Sequence, residues 1–260
     1  MATEVSTEQR VEASPPPAKG RKAAAIERFE GLILSGRFTT GERLPPEREL
    51  AADLGVSRPV VHAALVELEA RGLVRVEARR GVFVADWRRS GSAELLLSML
   101  SYSGGDLSEN LFDGLLEMRL LFETETARLA ASRRGREDLD ELERVLARER
   151  LAGPAEGREG FPSGAEMTEL DYDFHLAVAL ASGNDVYPLL LNSFGRVYRT
   201  ILGRFYADPE VIPQVFAYHR ELVAAIAAGD EEGSVATMRD ILQFGERNLR
   251  LILVRERKRP

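Results

Sequence analysis

Three groups of side chains in this 260-residue sequence have the types and spacing to do chemistry. Asp171 and His175 stand four apart in "LDYDFHLAVALASG", a stretch of helical periodicity, so both can point to one side; His219 can join them from a later helix. Neutral imidazoles with a carboxylate suit a divalent ion such as zinc, nickel or manganese, with water filling the open positions. The same groups could equally hydrogen-bond among themselves inside a helical bundle. Arg119 and Glu123 share a helical face among Leu115, Leu116, Leu120 and Phe122. A guanidinium buried there needs either that carboxylate or the acid group of a ligand beside it. The third group lies in "GVSRPVVHAAL", residues 55–65. Ser57 can accept a bond from a free amide of the first helical turn, and Pro59 sits where a missing N–H costs little. Arg58 is thereby held at a helix N-terminus, the end that attracts phosphate oxygens. Val61, Leu65 and Leu68 commit one face to a core, and Arg58 and His62 share a neighbouring face that is free to touch something.

The elements that must position these residues follow from the periodicity. A helix fits Ala23 to Leu34, with Gly36 as its stop; "LPPERELAADLG" makes a second, and the Ser57 helix runs from there to about Arg71, ended by Gly72. Two short helices joined by a turn containing glycine form a helix-turn-helix. "LVRVE" and "VFVADW" follow as a small hairpin whose tip carries Arg79, Arg80 and Gly81. From about Ala93 every long segment has helical periodicity. The fold class is therefore mainly α: an N-terminal winged helix-turn-helix with a β-hairpin wing, then an all-α bundle of six or seven helices. The expected divisions are a disordered leader at 1–20 containing "SPPP", a winged-helix domain at 21–88, a linker "RRSGSA" around 89–92, and an all-helical domain at 93–255, with "AGPAEGREGFPSGA" as an internal loop.

Composition narrows the function classes. Residues 20–88 carry 12 Lys/Arg against 10 Asp/Glu, while residues 89–260 sum to −8 within a net charge of −7, so a polyanionic partner would meet the first ninety residues. No apolar run approaches the roughly 20 residues of a membrane span. The N-terminus lacks the apolar centre of a signal peptide, and there is no cysteine, which together point to the cytoplasm and exclude disulfides and thiolate sites. No glycine-rich phosphate loop or nucleophile motif is present. The rival to a binding protein is a metal-dependent helical enzyme using Asp171, His175 and His219, or a scaffold whose helices mainly dimerise.

The stretch "ERLPPERELAADLGVSRPVVHAALVELEARGLVRVEARRGVFV" resembles the winged-helix domain of GntR-type bacterial transcription regulators. "MRLLFETETARLAA", "LDYDFHLAVALASGN" and "YHRELVAAIAAGD" resemble, in order, the helical effector domain of the FadR branch, and "NDVYPLLLNSFGRVYRTILGRFYADPE" is similar to its fatty-acid-responsive members. The resemblance implies a homodimer on a pseudo-palindromic double-stranded operator, without membrane association. It carries Arg48 (placed before the first helix), Ser57, Arg58, His62 and the wing residues Arg79, Arg80 and Gly81 onto DNA. Arg48 and the wing would neutralise phosphates, and Arg58 would read a guanine edge. His62 stands where the family usually has arginine. It further implies an effector, first a fatty acyl-CoA and second a smaller carboxylate, held by Arg119, Glu123, Asn184, Tyr198, Arg199 and Phe205. Phe194 and Tyr206 with Arg196 and Arg204 would extend an aromatic cavity edged by cations. "ILQFGERNL" lacks the serine and tryptophan expected for thioester contacts, and the further histidine that completes the family's metal site falls in the register of Ile241.

Overall fold

The computed structural model describes residues 18–102, 109–153 and 160–257; most of the expected leader and the centre of the expected loop, 154–159, lie outside them. Two compact units divide after Tyr102. In the first, α1 (Ala18–Leu34) packs on α3 (Arg58–Ala70), and α2 (Glu47–Leu54) leads into α3 through Gly55, whose φ of 63° is the left-handed conformation glycine adopts without a Cβ clash. Phe29, Val61, Ala64, Leu65, Leu68 and Leu73 are buried together, which confirms the apolar stripe of α3. Strands β1 (Val74–Glu77) and β2 (Gly81–Val84) pair antiparallel, Val74 opposite Val84, and the extended segment before α2 is tied to β2 by Leu44 N donating to Val82 O at 2.9 Å.

Helices α4 (Trp87–Ser90) and α5 (Glu94–Tyr102) complete this unit. Here the structure departs from the expected divisions. The linker residues are held down, Ser90 Oγ donating to Gly72 O at 2.9 Å and Ser92 N to Arg71 O at 3.1 Å. Residues from Ala93 were expected to open the effector domain, yet α5 packs on α1: Leu95 joins the N-terminal core, and Ser98 Oγ donates to the buried Glu30 at 2.6 Å. Arg71 reaches the same carboxylate at 2.7 Å, so α1, α3 and α5 meet at one ion pair. Glu30 and Ser98 lie 68 residues apart, a pairing invisible to local periodicity. Helix α1 also starts at Ala18, so the end of the expected leader is helical.

The second unit consists, among the described residues, of α6 (Glu109–Arg133), α7 (Arg136–Ala152), α8 (Gly164–Ala181), α9 (Val186–Phe205), α10 (Ile212–Ala228) and α11 (Glu231–Arg257), with a short 3-10 turn at Pro209–Val211. Helix α8 packs against α6, α7 and α9 and is buried nearly all round, as an apolar-sided helix in a bundle must be. Asp171 and His175 sit on this central helix.

Candidate functional site

The face presented by α2, α3 and the hairpin carries the basic residues expected there. Arg48, Ser57, Arg58, His62, Arg79 and Arg80 are all exposed. Arg48 lies within the first turn of α2, not ahead of it. Ser57 occupies the N-cap position of α3 with extended backbone, but its hydroxyl makes no cap bond. The reason is local: Pro59 removes the amide of the second helical residue, and Val60 N already donates to Ser57 O at 3.0 Å. Arg58 Nε and His62 Nδ1 both meet the carboxylate of Glu47, at 3.0 and 2.9 Å. These bonds, His62's first, hold the Glu47 carboxyl below its ordinary range. At the hairpin tip Arg79 has a φ of 64°, and Gly81 has a φ of 117° with Arg43 Nε 2.8 Å from where a Cβ would stand. Arg80 pairs with Glu77 and lies 5.6 Å from the Phe83 ring, so the wing offers a stacked cation behind a projecting one.

In the helical unit Asp171, His175 and His219 converge: one ligand atom from each lies within 4.8 Å of the others, all three buried. His219 Nδ1 donates to Glu149 Oε1 at 2.6 Å, and His175 Nδ1 lies against Glu123 Oε2. With each Nδ1 facing a carboxylate, each Nε2 points to Asp171, 3.8 Å away in both cases. Tyr198 and Tyr206 donate their hydroxyls to the two oxygens of Asp171 at 2.7 and 2.6 Å. His219 Nε2 has no hydrogen-bond partner although fully buried. An orphaned imidazole nitrogen aimed at a carboxylate, with carboxylates behind both rings, is the donor arrangement of a metal site. Asp171, His175 and His219 are three candidate donors, and Ile241, in the register of the family's further histidine, is apolar core.

Arg119 binds Glu123 at 2.5 Å and reaches Tyr198 Oη at 3.2 Å, so the internal partner is the one that neutralises it. Burial opposes ionisation of Glu123, but the charges of Arg119 and His175 outweigh it and bring its carboxyl down to about 2. Burial likewise works against the charge on His175, and the adjacent Glu123 and Asp171 carboxylates overcome it and raise its pKa. Arg119, Glu123 and Tyr198 form one wall of a cavity of about 770 Å³ between α6 and α9, whose other walls include Phe112, Leu116, Phe122, Phe194 and Ile201. The remaining expected effector residues are elsewhere. Asn184 Oδ1 caps the turn into α9 by accepting from Val186 N at 3.0 Å, Arg199 pairs with Glu169 at 2.7 Å above the Tyr172 ring, and Phe205 is core. Arg196 and Arg204 do not line the cavity either.

Residues 21–84 match the family described as bacterial regulatory proteins, gntR family, and residues 114–244 match the FCD domain. The chain is 32% identical to the HTH-type transcriptional regulator Mce2R of Mycobacterium tuberculosis, over 92% of this chain and 97% of that one. This chain belongs to the GntR family. It is a DNA-binding transcriptional regulator of the GntR/FCD type and not an enzyme. The fatty acid metabolism regulator protein of Escherichia coli is 29% identical over 80% of this chain and 81% of its own. The structure of Lar from Listeria monocytogenes, 17% identical, superposes with a TM-score of 0.57 over 92% of this chain and all of that one, which supports the fold alone. No helix among the described residues of this GntR regulator is long and apolar enough to cross a membrane.

Sequence reasoning overlooked Glu47, Glu149 and the bond from Tyr206 to Asp171. For Glu149 a signal existed: it continues the stripe Leu142, Val145, Leu146 at helical spacing, and an acid on an apolar stripe needs a buried partner. Tyr206 was expected in an aromatic cavity, and nothing local pointed to Asp171, 35 residues away, as the acceptor of its hydroxyl.

Proposed function

We propose that this regulator binds a pseudo-palindromic operator as a homodimer, reads it with α3 and the wing, and is controlled by an acid carrying an apolar chain in the cavity between α6 and α9. The observation that carries the effector reading is a cavity of about 770 Å³ with largely apolar walls and Arg119 at one side. Pockets of this size and character hold small ligands whose few polar groups set orientation. The acid group would compete with Glu123 for Arg119, as either carboxylate neutralises the guanidinium. The other cation on the lining, Arg128, already pairs with Glu125 and Glu231 at 2.7 Å. With Arg199 engaged elsewhere, the cations needed for the phosphates of an acyl-CoA do not gather at this cavity, which favours the free acid over the thioester.

A divalent ion fits the neighbouring donor set, since His219 Nε2 is buried without a partner. Asp171, His175 and His219 would hold it, with Glu149 and Glu123 orienting the imidazoles. Bound there it would supply a Lewis-acidic contact for an acid oxygen. Arg58 is the expected guanine reader, and Arg48, Arg79 and Arg80 the phosphate contacts.

A gel-shift titration on the protein's own upstream DNA tests the whole reading. A medium-chain free acid should release the DNA from the wild type and fail with Arg119→Ala, whereas release by the CoA thioester at lower concentration would restore the acyl-CoA reading. Arg58→Ala should lose sequence discrimination of about 1–3 kcal/mol; retention of parental selectivity would end the α3 assignment.

A further inference from the structure

Glu47 is the first residue of α2, yet both of its carboxylate oxygens are taken by α3: Oε2 by Arg58 Nε at 3.0 Å and Oε1 by His62 Nδ1 at 2.9 Å. The carboxylate is largely sheltered, at 24% side-chain exposure, while the arginine and histidine it holds are 73% and 66% exposed. We propose that Glu47 is a specificity-determining positioning residue that fixes which atoms of Arg58 and His62 meet the base edges. This rests on α3 being the groove-reading helix.

For Arg58, engagement of Nε leaves the two terminal Nη groups as an end-on fork, the geometry that matches guanine O6 and N7. For His62 the consequence is a choice of tautomer. A carboxylate only accepts, so in the neutral ring the proton sits on Nδ1, and Nε2 on the far side of the exposed ring is left as an acceptor. An acceptor in the major groove meets only the exocyclic amino groups, adenine N6 or cytosine N4, and is refused by guanine O6 and N7 and by thymine O4. The charged groups facing the ring are Glu47 from α2 and Arg58 one turn earlier on α3. One carboxylate thus sets two adjacent preferences of opposite kind: a guanine for Arg58 and an amino-bearing base for His62. A purely structural reading is also available, since an acid in the first turn favours any helix.

The test is selection of bound sequences from a randomised duplex pool at about pH 8, using the full-length wild type, E47Q, E47A, R58A and H62A, with thermal melting of each. The wild type should show a guanine position flattened by R58A and an adenine or cytosine position flattened by H62A. E47Q keeps one acceptor oxygen and should weaken both preferences; E47A should lose about tenfold at each, equivalent to about 1.4 kcal/mol. Melting temperatures should stay near that of the wild type. Uniformly tighter binding by E47Q with an unchanged profile would overturn the proposal, leaving Glu47 as mere phosphate repulsion. So would a lower melting temperature with an unchanged profile, or a guanine at the H62A-sensitive position. If R58A leaves the profile intact, the assignment of α3 falls as well.

Discussion

His219 shows how far one side chain can be committed by its surroundings. Its ring stacks on Phe174 with centroids 3.6 Å apart, its Nδ1 is bonded to the buried Glu149, and its Nε2 faces Asp171. His219→Ala leaves Glu149 as an unpaired buried carboxylate, which should cost about 3–5 kcal/mol of stability. That loss should persist in chelator, as measured by urea denaturation with and without EDTA. A metal contribution is separable: if the wild type holds an ion at about 100 times its Kd, chelation should remove about 2.7 kcal/mol from the wild type and nothing from His219→Ala. Phe174 is itself fully buried, and Phe174→Ala should cost about 3–5 kcal/mol from lost packing and the cavity left behind.

Between elements, the joint of α1, α3 and α5 is sensitive to single changes. Glu30 is buried, with Arg71 and Ser98 as its partners. Arg71→Ala should destabilise the N-terminal unit by about 3–5 kcal/mol, because the buried Glu30 charge loses its counter-charge and keeps only the Ser98 hydroxyl. Gly72 combines a φ of 76° with Ser90 O only 1.9 Å from where a Cβ would lie. Gly72→Ala must therefore shift the backbone around α4, and it should lower the melting temperature by more than the usual glycine effect of about 1 kcal/mol. The same joint carries a pH response. Glu67 accepts from Lys22 and from Arg71, and these bonds, Lys22's first, lower its carboxyl below the ordinary 4.5. The unfolded chain therefore takes up a proton at higher pH than the native one. The stabilisation is complete above about pH 5 and is lost as pH falls through the lowered value. Lys22→Met should flatten that acid limb in melting curves recorded between about pH 5 and 3.

For the whole molecule, control of DNA by an effector is a coupling free energy, and it must run both ways. If the acid lowers operator affinity by some factor, operator DNA must lower affinity for the acid by the same factor. Titrating the acid by calorimetry with and without a saturating operator duplex checks this, and an acid affinity indifferent to DNA would separate the cavity from regulation. Much of the architecture was legible in the sequence because it depends on near neighbours. Prolines 45 and 46, Gly55 and Pro59 punctuate the first helices, the stripe Val61, Leu65 and Leu68 states which face of α3 is buried, and Arg58 and His62 fall on the neighbouring, exposed face by helical geometry alone. The Asp171, His175 and His219 set was also legible, two of its members being one turn apart. Other features required the packed molecule: Glu149 behind His219 across 70 residues, two tyrosine hydroxyls on Asp171, α5 folded onto α1, and Arg199 and Phe205 turned away from the cavity. Periodicity specifies the face a residue occupies on its own helix. Which partner that face meets is decided by how the helices cross, and only the burial of both together makes their polar groups find each other.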